Sequence, residues 1–155
     1  MFARDNGAMA TVDVEVQATI GRPRSVVAAY CSDPDNAKQW YANIDSVHWE
    51  TPKPMAVGSR FTFCARFLGR SLTYTYEVVE WTPDQRFMMR TAQRPFPMET
   101  TYEWRDAEDG ATLMRLRNRG EPAGFSRIAT PMMSLAIKRA TAKDLRRLKG
   151  ILEAH

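Results

Sequence analysis

The amino-acid sequence predicts an α+β protein: one antiparallel sheet of about seven strands packed against a single long C-terminal helix. Three stretches carry this reading. Residues 12–20, VDVEVQATI, alternate strictly between apolar and polar. Residues 60–68 and 71–81 are two alternating, aromatic-rich runs that meet at Gly69-Arg70. The closing stretch RATAKDLRRLKGILE, Arg139 to Glu153, repeats its apolar residues at helical spacing against a basic back.

Val12, Val14, Val16, Ala18 and Ile20 make the buried face of the first strand. RPRSVVAAYCSDPDNAKQWY then reads as two short helices. Pro23 suits a first helical turn, Val26, Val27 and Tyr30 form an apolar side, and Asp33-Pro34 divides the pair. Ile44–Glu50 is a short strand whose facing is open; if Val47 and Trp49 point inward, His48 points to solvent. In the hairpin, a Gly69-Arg70 turn pairs Phe67 with Leu72, Ala65 with Tyr74, Phe63 with Tyr76 and Phe61 with Val78, all on one face. Strands over Arg86–Gln93, Met98–Arg105 and Ala111–Arg119 follow, the last two joined at Asp109-Gly110. They turn Phe87, Met89, Thr91 and Gln93, then Met98, Thr100, Tyr102 and Trp104, then Thr112, Met114, Leu116 and Asn118 inward. After the loop GEPAGFS, the last helix carries Met133, Ile137, Ala140, Leu145, Leu148, Ile151 and Leu152 on one side. Lys138, Arg139, Lys143, Arg146, Arg147 and Lys149 lie on the other. That apolar stripe needs a surface, and the sheet's inner face is the one available.

Residues 1–10, MFARDNGAMA, are expected to be a flexible polar lead-in without the apolar stretch of a secretory signal, and 11–155 one domain. No apolar run approaches the ~20 residues a bilayer span needs. Cys31 and Cys64 form no CxxC pair and lack a nearby histidine, so no metal site and no cofactor are expected, and free thiols point to the cytoplasm. The net charge of +4 permits an anionic partner without demanding one.

The order of elements, with VEVQATIGRPRSVVAAYCSDPDNAKQW, YEVVEWTPDQRF and DLRRLKGILE as its best matching stretches, resembles the helix-grip fold of the START-like (SRPBCC) superfamily, and within it the polyketide cyclase/dehydrase and lipid-transport family. The resemblance implies a curved sheet wrapped around the last helix with a cavity between them. It also implies a hydrophobic or amphipathic small-molecule ligand there and, in some members, cyclisation or dehydration.

The expected lining is aromatic and methionine-rich: Phe63, Phe67, Tyr74, Tyr76, Met89, Met98, Tyr102, Trp104, Met114, Asn118, Met133 and Ile137. Taken singly, each of these side chains reads first as core, and the cavity is implied for the set by the resemblance. The inward Thr91, Gln93, Thr100, Thr112 and Asn118 need partners, which ligand, trapped water or a wet strand end would supply. Asp144 falls on the apolar side of the last helix. It is read either as a structural group, ion-paired to Arg147 or tied to a strand, or as a ligand contact or general base. Tyr102, Tyr74 and Asp144 are the catalytic candidates, with Tyr76 and Glu80 as further polar groups; no nucleophile–histidine–acid set exists with one internal histidine.

The leading expectation is a non-enzymatic binding or carrier protein for a lipid- or polyketide-like molecule. A cofactor-independent polyketide cyclase or dehydratase is the alternative, and a scaffold that binds an acidic partner through its basic face is the third. Arg115, Arg117, Arg119 and the basic back of the last helix are read either as a solvated face or as a surface for an anionic membrane. Nucleic acid is not expected, because the aromatics that would stack bases point inward, and the chain is expected to be a monomer or homodimer.

Overall fold

In a computed structural model, the structure describes residues 11–67, 69–91, 97–121 and 130–154. The lead-in 1–10, Gln93, most of GEPAGFS and the side chain of Phe67 lie outside the described residues. The elements are β1 (Val12–Ile20), α1 (Arg24–Ser32), α2 (Ala37–Trp40), β2 (Ile44–Trp49), β3 (Arg60–Phe67), β4 (Arg70–Thr82), β5 (Arg86–Thr91), β6 (Met98–Asp106), β7 (Thr112–Gly120) and α3 (Thr130–Glu153), with one-turn 3-10 segments at Pro34–Asn36 and Glu108–Gly110.

All seven strands form one open antiparallel sheet, ordered β1-β7-β6-β5-β4-β3-β2. β1 and β2 are consecutive in sequence yet occupy opposite edges. The chain between them must therefore cross the mouth of the sheet, and α1 and α2 are that crossing. α1 buries Val27, Ala28 and Cys31, one residue round from the expected Val26–Val27–Tyr30 side. α2 buries Ala37 and Trp40. A register shift between Val78 and Glu80, opposite Met89 and Met88, puts an extra residue into β4. Such a bulge bends a strand and adds to the sheet's curvature.

The inward rows are those expected from alternation. Phe61, Phe63, Ala65, Tyr74, Tyr76, Val78, Phe87, Met89, Tyr102, Trp104, Met114 and Leu116 are buried in one core with Ile20, Val27, Trp40, Leu145 and Leu148. In β2, Val47 and Trp49 are half-buried and His48 is exposed. The hairpin register differs from expectation. Phe67 pairs with Arg70, Ala65 with Leu72, Phe63 with Tyr74 and Phe61 with Tyr76. Gly69 holds φ of +77°, the left-handed conformation that glycine adopts at little cost, at the second rather than the first position of the turn. The turn thus centres one residue earlier and each partner moves by two. A shift of two preserves the faces, so the same side chains point inward.

α3 does not rest on the sheet along its whole length. From Thr141 onward Leu145, Leu148 and Leu152 are buried. Its end is pinned to the β1–α1 corner: Lys149 Nζ donates to Thr19 O at 2.6 Å, Gly21 N to Glu153 Oε2 at 2.7 Å, and Arg22 Nη1 to Leu152 O at 2.9 Å. Before Thr141 the burial fails. Ala140, expected on the buried stripe, is exposed, as are Ala136 and Leu135, and Met132 is 77% exposed. This half of the helix spans an open space.

Candidate functional site

That space is a cavity of about 770 Å³. Its floor is the sheet: Val12 of β1, Phe63 and Ala65 of β3, Tyr74 and Tyr76 of β4, Met89 of β5, Met98 and Thr100 of β6, Asn118 of β7. Its roof is α3 from Met132 to Asp144, and its side wall is the turn Tyr41–Ala42–Asn43–Ile44 after α2. Exposed Ala42, Asn43, Arg66, Met132 and Lys143 rim the opening.

Of the residues expected to bind ligand, Phe63, Tyr74, Tyr76, Met89, Met98, Asn118, Met133 and Ile137 stand on this wall. Tyr102, Trp104 and Met114 do not; they are buried behind it in packed core. Tyr102 stacks on Phe87 with ring centroids 5.7 Å apart, and Met114 takes the Cys31 thiol at 3.6 Å. The reason is depth: alternation gives the face a side chain points to, whereas α1 and α2 cover the β6–β7 end of that face and leave the other end open.

Thr91, Thr100, Thr112 and Asn118 find hydrogen-bond partners within the protein, in the backbone or in one another. Thr112 Oγ1 donates to Arg22 O at 2.8 Å, and Thr91 Oγ1 accepts from Met98 N at 2.9 Å. Thr100 Oγ1 donates to Asn118 Oδ1 at 2.8 Å, and Asn118 Nδ2 to Thr141 Oγ1 at 3.3 Å. This last chain ties β6 and β7 to α3 at the point where the helix leaves the sheet.

Asp144 lines the cavity and is 7% exposed. It forms no ion pair with Arg147. Its Oδ1 instead accepts from the backbone N–H of Ala42 at 3.1 Å, tying α3 to the α2–β2 turn. Burial raises its pKa, opposed by the Ala42 N–H and by the more distant Arg147 and Lys143 charges. Beside it, the Tyr41 hydroxyl meets the Tyr102 hydroxyl at 2.5 Å. Burial pushes Tyr41 and Tyr102 well above the ordinary phenol range, and Tyr76 to about 12. These hydroxyls are therefore neutral at physiological pH and offer hydrogen bonds, not tyrosinate bases. The chemistry available is an apolar pocket, neutral hydroxyl donors, and one carboxyl that holds its proton unusually well. Glu80 is not part of it, being paired to Arg86 at 2.9 Å on the outer face. Among the described residues no group of His, Cys, Asp and Glu is arranged to hold a metal ion.

Sequence reasoning missed Tyr41, Ala42, Asn43, Ile44 and Arg66. Four of these sit in a turn after a four-residue helix, too short to show a period. It placed the outer arginines on the solvated face but did not show that they are paired. By register, Arg115, Arg117 and Arg119 lie between acidic β1 and acidic β6. Arg115 pairs with Glu15 at 2.9 Å, Arg117 with Asp13 at 2.6 Å, and Arg119 reaches Asp13 and Glu99 at 3.9 and 3.8 Å. Arg86 and Arg90 continue the pattern with Glu80, Glu103 and Glu99. Arg86, Arg90, Arg115, Arg117 and Arg119 each have a carboxylate within 4.0 Å, whereas exposed Arg105 on the same face has none among the described residues, so Arg115, Arg117 and Arg119 are not a free basic patch.

A family model described as polyketide cyclase / dehydrase and lipid transport matches residues 11–153. No curated protein is significantly similar in sequence. Among solved structures, a START superfamily protein from Mycobacterium smegmatis superposes with a TM-score of 0.76 at 14% identity, over 92% of this chain and 97% of that one. The Zhui aromatase/cyclase from Streptomyces sp. R1128 gives 0.74 at 14% identity, over 92% and 94%. A protein of unknown function from Staphylococcus aureus, SA2116, gives 0.74 at 14% identity, over 96% and 98%. At such identities the likeness is one of fold: the antiparallel sheet and long C-terminal helix of the helix grip.

Proposed function

We propose that this chain, which belongs to the polyketide cyclase / dehydrase and lipid transport family, is a carrier for one hydrophobic or amphipathic small molecule held between its sheet and α3. The cavity itself carries this reading. About 770 Å³ of space with mainly apolar walls stands open where a merely structural helix would have packed down. That volume is within the ~300–1,000 Å³ of pockets that take a single small ligand. An interior with this much room also weakens the reading of a scaffold filled by its own side chains. Phe63, Met89, Met98, Met133 and Ile137 would grip the apolar body, and methionines accommodate irregular shapes. Tyr41, Tyr76, Asn118 and Asp144 would meet polar atoms. The free thiols of Cys31 and Cys64 support action in the cytoplasm.

A cofactor-independent cyclase or dehydratase is the second reading. It is favoured by one observation, a carboxyl at Asp144 whose pKa burial raises, lining the same cavity as the Tyr41 hydroxyl.

Native mass spectrometry of freshly purified protein, followed by extraction of whatever is released, tests the carrier reading. One adduct per chain, released unchanged in mass after prolonged incubation, is expected. Conversion of the extracted compound to a product of different mass, abolished by Asp144→Asn, would replace it with the enzymatic reading. A bare protein mass together with no saturable uptake of a fluorescent apolar probe would overturn both.

A further inference from the structure

α3 has an ordered outer side that begins in its unburied half and runs on past Thr141. Met132, Leu135, Arg139, Lys143 and Arg146 recur at helical spacing and fall within roughly 80° of one another around the axis. Met132 is 77% and Leu135 48% exposed, and the three cations are exposed as well. Large apolar side chains so open to solvent are few among the described residues; Val57 is the other. Apolar residues thus lead this stripe and cations follow it. Among the described residues, Lys138, Arg139, Lys143, Arg146 and Arg147 have no carboxylate in ion-pair distance, in contrast to the matched arginines of the outer sheet face. Among the described residues, this helix therefore carries more cations without an ion pair than any other element. Met132 and Lys143 also belong to the cavity rim, so the stripe borders the opening.

We propose that this stripe docks the protein on an anionic lipid bilayer, with Met132 and Leu135 entering the headgroup–acyl boundary and Arg139, Lys143 and Arg146 on the lipid phosphates. The proposal rests on the carrier reading for its purpose: it sets the mouth of the cavity against the phase that dissolves apolar ligands. A bilayer is favoured over a soluble polyanion because polyanions offer nothing to two exposed apolar side chains. A lipid surface takes both halves of the stripe at once. The pinned C-terminal end of α3, held by Lys149, Glu153 and Arg22, keeps the stripe on a firm support.

Flotation with vesicles of phosphatidylcholine alone and with phosphatidylglycerol mixed in equally tests it. Wild-type protein is expected on the mixed vesicles at low salt, not on phosphatidylcholine, and less as salt rises. Each exposed cation near such a surface is worth roughly fivefold in partitioning, so Arg139→Glu with Arg146→Glu is expected to lower it at least tenfold. Leu135→Gln is expected to lower it severalfold at every salt concentration. None of these three positions lines the cavity, so uptake of a fluorescent apolar probe in solution should stay as in wild type, which also controls for folding. Vesicle binding that is absent, or unchanged in the double variant, overturns docking while intact probe uptake leaves the carrier reading standing. Retention on duplex DNA without vesicle binding overturns it in favour of a soluble polyanion. Vesicle binding without probe uptake sustains docking and overturns the carrier.

Discussion

Asp144 shows how one side chain links packing to pH. Desolvation raises its folded pKa, so the folded chain holds the proton more tightly than the unfolded one. Its contribution to stability therefore falls as pH rises from the ordinary carboxylate range through the raised folded value. Asp144→Asn keeps an oxygen for Ala42 N–H and removes the charge. Thermal melts from acid to neutral pH should show that slope diminished and the neutral melting temperature unchanged or higher; a marked drop at neutral pH would mean the charge itself stabilises the fold. The tyrosine pair separates wall from support. Tyr102→Phe is expected to cost about 0.5–1.5 kcal/mol of stability and to change probe affinity less than about threefold. Tyr41→Phe, on the wall, should alter affinity more for a probe with a polar head than for a hydrocarbon one. Both the inward pointing of Tyr102 and the anomaly at Asp144 were legible from spacing. The Tyr41–Tyr102 contact was not, because it joins residues 61 positions apart.

The hairpin and α3 are two elements of contrasting legibility. Alternation across Arg60–Phe67 and Arg70–Thr82 told which side chains face inward, and an error of one residue in the turn left those faces intact. In α3 the apolar stripe was legible from end to end, but its burial was not, since a period says which side is apolar and not whether anything lies beneath it. The two halves of the helix should respond differently. Leu148→Ala, at a fully buried position in the covered half, is expected to cost about 2–5 kcal/mol in urea unfolding. Leu135→Ala, 48% exposed in the other half, should cost less than about 0.5 kcal/mol. Equal costs would mean that the helix packs along its full length.

The molecule as a whole carries two faces of different electrostatic kind. On the outer sheet face, Arg117 holds the Asp13 carboxyl below its ordinary range; elsewhere Lys53 does so for Asp35 and Lys149 for Glu153. Stability from such depressed groups is present above the ordinary carboxylate pKa and is lost as pH falls through the folded values, opposite in sign to Asp144. Arg117→Ala should thus lower stability at neutral pH by no more than about 1 kcal/mol and flatten its decline in acid, read from melts across that range. A steeper acid decline would contradict the pairing.

The amino-acid sequence by itself determined the α+β class, the strand faces, the two short helices after β1 and the amphipathic last helix, because alternation, helical period and turn residues are local properties of neighbouring side chains. Only the tertiary structure decided which inward residues reach the cavity, which arginines are neutralised, and where α3 lifts from the sheet. Those depend on which elements end up adjacent: β1 and β6 bring carboxylates to β7, α1 and α2 fill one end of the sheet's concave side, and Thr141 marks where the helix stops being covered.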